Sequence, residues 1–82
     1  MSPMAKLRER APEIFGEFLV HVANHRKDGI FHVYVRMYLE SKHITKLQEN
    51  YEICNIVPTS KEDDIMIGKH SSLILLVKEK KR

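Results

Sequence analysis

Rings and cations alternate along one stretch of this chain. Across residues 18–40, His21, His32, Tyr34 and Tyr38 fall on the same side as Arg36, and Arg26 and Lys27 lie between the two runs. On an extended backbone alternate side chains share a face. Unpaired bases stack on aromatic faces while guanidinium and ammonium groups meet phosphates, so this is the surface that single-stranded nucleic acid requires. Tyrosines in such places also serve as half-buried packing residues with wet hydroxyls, under a helix or a partner subunit. Residues 78–82 form a basic tail, in which Lys80, Lys81 and Arg82 would add sequence-independent affinity by releasing counterions. A solvated chain end is the plainer reading of that tail. Lys6, Arg8 and Arg10 carry the same two meanings.

Other chemistries find weaker support. Five histidines invite a metal, with His21, His25 and His32 on one face, and three imidazoles can hold zinc with an open position. Yet no Cys-x-x-Cys or His-Glu-x-x-His spacing is present, and Cys54 is the sole cysteine. Gly68-Lys69-His70-Ser71 lacks the upstream glycine of a phosphate-binding loop and reads as a turn. Glu62, Asp63 and Asp64 are adjacent acids, which suit the start of a helix better than a catalytic pair. A nucleophilic Cys54 with His43 or His70 has nothing beyond residue type to recommend it. No catalytic, cofactor-binding or metal-binding residue is therefore assigned, and the chain is not expected to be an enzyme.

The element that must position the rings is a β-hairpin. Ile30–Glu40 alternates strictly, with Phe31, Val33, Val35, Met37 and Leu39 on one parity. That pattern, rich in β-branched and aromatic residues, predicts a strand buried on one face. Phe18–His25 reads likewise, and Asp28-Gly29 suits a two-residue type I′ turn. Pairing Lys27 with Ile30 then sets Val22 opposite Val35, Val20 opposite Met37 and Phe18 opposite Leu39. On the other face Leu19 meets Tyr38, His21 meets Arg36, Ala23 meets Tyr34 and His25 meets His32. A one-residue slip would turn one apolar set outward. Helical stripes through Phe15, Phe18, Leu19 and Val22, and through Ile30, Val33, Tyr34 and Met37, support a rival reading. The shortage of strong helix formers there favours strands.

Around the hairpin, Ser2-Pro3 starts a helix that Pro12 should end near Arg10. Glu13–Gly16 then leads into the first strand. Ser41 can cap a second helix over 42–50, and Glu52–Val57 reads as a third strand closed by Pro58. Thr59–Gly68 holds a capping box, Ser60 with Asp63 or Thr59 with Glu62, and Gly68 suits a C-terminal cap. Leu73–Val77 is an unbroken apolar run, as in a strand covered on both faces.

The 82 residues predict one α+β domain spanning 1–82: an N-terminal helix, the hairpin, and a largely antiparallel four-stranded sheet with short helices on one face. The alternative is a winged-helix-like, mostly α arrangement with helices over 12–27 and 30–50. A net charge of +3 and a pI near 9.1 make the chain mildly basic. Absence of a disulfide pair fits an intracellular location, no secretory leader is evident, and no membrane association is expected. The leading expectation is a small binding protein that contacts RNA or DNA through the hairpin face and basic tail. The second is a protein-interaction module, either a homodimer or an accessory subunit, using the same face or a sheet edge.

Overall fold

A computed structural model describes residues 2–25 and 29–80. Helix α1 (Pro3–Phe15) leads through a 3-10 turn, Gly16–Phe18, into β1 (Leu19–His25) and β2 (Ile30–Val35). Then come α2 (Ser41–Gln48), β3 (Tyr51–Pro58), α3 (Lys61–Ile67) and β4 (Leu73–Glu79). The strands form one antiparallel sheet in the order β1-β2-β4-β3. This is the expected α+β fold, and the mostly helical alternative is excluded because 19–25 and 30–35 are paired strands.

Helix α1 departs from expectation in its length. Ser2 caps it by accepting a 3.2 Å hydrogen bond from the Ala5 amide, but Pro12 lies inside the helix rather than ending it. Proline there removes the amide that would bond the Arg8 carbonyl and crowds that carbonyl with its ring. Burial outweighs this cost. Leu7, Ala11, Ile14 and Phe15 are all buried, and the last two reach the sheet only if the helix continues past Pro12. Gly16 then turns the chain at φ 58°, a backbone angle that side chains resist.

The centre of the hairpin keeps the expected faces but not the expected register. Val22 pairs with Val33, Ala23 with His32, His21 with Tyr34 and His25 with Ile30. Between His21 and His25 the shift is two residues from the two-residue-turn pairing, which preserves the faces there. Beyond it Leu19 packs on the core, and Phe18, expected inward opposite Leu39, lies in the 3-10 turn and is 44% exposed. Alternation fixes parity and leaves even shifts open. Tertiary partners decide between them: a bulge at Val20 sets Leu19 opposite Val35 rather than opposite Tyr38, and β2 must also match Leu73–Val77 of β4.

Strand β2 also stops at Val35, five residues short of Glu40 as read from the sequence. The Ser72 amide donates to the Val35 carbonyl and the Arg36 amide to the Phe18 carbonyl, both at 2.8 Å, and the chain then leaves the sheet. Met37 and Leu39 still pack on the core from the following loop. Their alternation therefore reflects packing on one side of an extended loop, not ladder pairing.

The core joins the α1 stripe and Leu47 of α2 to one sheet face: Val22, Phe31, Val33, Val35, Leu75, Val77 and Tyr51. Central β4 has buried residues on both parities, Ile74 as well as Leu75 and Val77, as its unbroken apolar run implies. Both edge strands are interrupted. β1 has its bulge at Val20, and β3 has another at Cys54, beside which Asn55 Oδ1 accepts the Ile56 amide at 2.9 Å. Short helix α3 carries the anticipated box, with Ser60 and Asp63 bonded reciprocally, and ends on left-handed Gly68.

If α1 runs through Pro12 against local preference, Pro12→Ala stabilises the fold. A gain of about 1–3 kcal/mol in urea unfolding is expected. No gain, or a loss, would show that the proline is not strained there.

Candidate nucleic-acid interface

Helices α1 and α2 cover one sheet face, leaving the other to His21, Ala23, His32, Tyr34, Ile74 and Leu76. Three of the ring residues predicted for this face, His21, His32 and Tyr34, gather on it. The His21 and Tyr34 rings lie 5.9 Å apart, and those of His32 and Tyr34 6.4 Å apart. Tyr34, however, is only 4% exposed, so its ring serves as packing and offers no open platform for a base. Burial raises its hydroxyl pKa above the ordinary value, and the charge of Asp63 adds to this.

Tyr38 and Arg36 fall outside the sheet, because β2 ends before them. Tyr38 is 93% exposed and Arg36 is exposed in the loop after Val35. Arg26, Lys27, Lys81 and Arg82 lie outside the described residues. The basic tail is shorter than the sequence suggests, since Lys78 and Glu79 belong to β4 and Lys78 pairs with Glu52 at 3.6 Å. The Lys80 amide donates to the Asn50 carbonyl. Lys80 is thus held at the far end of β4 from Leu73, roughly 20 Å away at about 3.3 Å per residue.

What the fold brings to the Arg36 end is different. Here β1 begins, β2 ends and β4 begins. Leu19, Val20, Arg36, Lys69 and His70 line a shallow groove of about 300 Å³. Lys69 Nζ donates to the Val20 carbonyl at 3.3 Å, leaving two further ammonium protons. Phe18, which precedes Leu19, accepts the Arg36 amide on its carbonyl and is 44% exposed. Burial first, then the charges of Lys69 and Arg8, lower the His21 pKa below 6.5. Lys69, His70, Arg8 and Phe18 escape a sequence-based site assignment because Lys69 reaches Val20 across 49 positions, a proximity no local spacing encodes.

Asp64 fixes the loop that presents Lys69 and His70. Its carboxylate accepts the Ser71 hydroxyl at 2.6 Å and the Ser71 amide at 3.0 Å, and meets His70 Nδ1 at 3.2 Å. The Ser71 hydroxyl bond above all, with help from the Ser71 amide and His70, holds the Asp64 pKa below its ordinary 3.8. Ser71 is itself buried.

On the helix side, a larger open cleft of about 850 Å³ runs between α1 and the start of β3. Arg10 bridges Glu13 at 2.9 Å and Glu49 at 3.5 Å across it, so opposite charges largely satisfy one another. Among the described residues no group of three or more His, Cys, Asp or Glu is arranged to hold a metal ion. None of their helices is long and apolar enough to cross a membrane. Comparison with protein-family models, curated proteins and solved structures returns no match.

Two outcomes test this placement. Tyr34→Ala should cost about 3 kcal/mol in urea unfolding, as for a buried ring, whereas Tyr38→Ala should stay within about 0.5 kcal/mol. Equal effects would contradict their opposite exposures. Because Asp64 has a depressed folded pKa, its contribution is present above the ordinary carboxylate range and disappears as pH falls through the folded value. The stability difference between the wild type and Asp64→Asn should therefore shrink on acidification, and a difference that grows would reverse the assignment.

Proposed function

We propose that this chain is a small, non-enzymatic binding protein that contacts nucleic acid at the Arg36 end of its sheet. The carrying observation is the cluster of Arg36, Lys69 and His70 around one groove, with Arg8 and Lys69 acting together on His21. Arg36 makes no ion pair among the described residues, so its guanidinium is available to an external phosphate. Exposed Phe18 and Tyr38 lie close in the chain to these cations and offer ring faces. Tyr34, by contrast, supports the surface from beneath.

A protein-interaction role is the second reading. Ile65 and Met66 of α3 favour it, being 77% and 75% exposed on consecutive positions. Bulges on both outer strands speak against partner binding by strand addition. Light scattering across a concentration range addresses self-association directly.

Binding of labelled RNA and DNA oligonucleotides should fall steeply with salt. Replacing Arg36 and Lys69 together by Gln should flatten the slope of log K against log salt by about 1.4 units, given roughly 0.7 per lost contact on single strands. Binding that ignores salt, or a double variant with an unchanged slope, removes this reading.

A further inference from the structure

A second site lies on the helix side, in the cleft of about 850 Å³ between α1, the α2–β3 connection and the end of β4. We infer that this cleft binds a small zwitterion, a free amino acid or a short peptide, engaging its ammonium and its carboxylate together. None of its lining residues belongs to the Arg36 groove, so the two sites stand or fall separately.

Secondary structure assembles the cleft. Lys6, Glu9, Arg10 and Glu13 recur at helical spacing and form one stripe of α1, beside the stripe that is buried. Opposite them, Tyr51 and Glu79 are paired residues of β3 and β4, so their side chains are neighbours on one sheet face. The Lys80 amide donates to the Asn50 carbonyl at 3.2 Å and ties this end of the sheet together.

Tyr51 is the residue that points to a ligand. It is only 3% exposed and its ring belongs to the core, yet it lines the cleft. Its hydroxyl makes no hydrogen bond among the described residues. A buried phenol ordinarily finds a partner. Burial first, then the charge of Glu79, raise its pKa, and Arg10 pulls it down. The hydroxyl thus stays protonated at neutral pH, able both to donate and to accept. Arg10 Nε is likewise buried without an acceptor.

Charge selects the guest. Four glutamates face three cations, so the cleft is close to neutral, but pairing within it is incomplete. Arg10 takes Glu13 and Glu49, while Glu9, Glu79, Lys6 and Lys80 form no ion pair among the described residues. A polyanion would meet the free carboxylates and a polyamine the free ammoniums, each a repulsive contact. A molecule with one group of each sign avoids both. Its ammonium would lie toward Glu79, with the Tyr51 oxygen as a further acceptor, and its carboxylate toward Lys6 or Lys80. The volume falls within the roughly 300–1,000 Å³ of small-molecule sites, room for an amino acid or a few linked residues.

The test follows amide shifts of the isotopically labelled protein at millimolar ligand. One pool holds the amino acids with uncharged side chains, and a second holds tripeptides built from them. Each pool is repeated with its ammonium acetylated and with its carboxylate amidated, and sulfate and spermidine serve as single-sign probes. The expected result is saturable shifts centred on 6–13, 49–51 and 79–80 with at least one free pool, lost when either end is capped. Which pool responds separates amino acid from peptide. Tyr51→Phe, which keeps the core ring, should weaken binding about two- to tenfold, and Glu79→Gln about ten- to hundredfold, with urea midpoints confirming that both fold. Shifts that survive capping, equal shifts with sulfate or spermidine, affinity unmoved in both variants, or no shifts with either pool overturn the inference.

Discussion

One apolar seam carries the molecule. Leu7, Ala11, Ile14 and Phe15 of α1, with Leu47 of α2, press on Val22, Val33, Val35, Leu75 and Val77. In so short a chain the surface is large relative to the interior, and no second core of that size is available. The other features follow from this one-sided arrangement. Helix α1 must run through a proline to complete its stripe. Met37 and Leu39 must return to the seam after the strand has ended. The opposite sheet face is left to histidines and a tyrosine.

The same constraint concentrates strand ends and loops at one corner. There the 3-10 turn, the end of β2 and the entry to β4 are tied by backbone bonds from Arg36 to Phe18, from Ser72 to Val35 and from Thr59 to Ser72. The Asp64–Ser71 bonds secure the loop between α3 and β4. The cationic side chains of Arg36, Lys69 and His70 thus spring from a backbone held by these bonds. Away from this corner, Arg10 meets Glu13 and Glu49, and Lys78 meets Glu52. These pairs are exposed and contribute little stability.

Much of this architecture was legible in the residues. Period-two alternation identifies both hairpin strands and the faces taken by Val22, Ala23, Val33 and Tyr34, but not those of Phe18 and Leu19 beyond the Val20 bulge. The unbroken run Leu73–Val77 identifies a central strand. Ser2-Pro3, the Ser60–Asp63 box and Gly68 mark helix ends through chemistry that acts over three or four positions. Less legible were the caps that use unusual residues. Helix α2 starts from Glu40, whose amide donates to His43 Nδ1, rather than from Ser41.

By itself, then, the sequence determined the class of fold, the order of its elements and the parity of its strands, because these follow from backbone preferences and from which side chains avoid water. Tertiary structure alone decided the register, the end of β2, the passage of α1 through Pro12 and the company kept by Tyr34, Tyr38 and Arg36. Each of these turns on a contact between distant segments. A two-residue slip leaves every face unchanged and so is invisible to alternation. Only β4 on one side and the bulged β1 on the other select the pairing that buries Tyr34 and brings Lys69 to Val20.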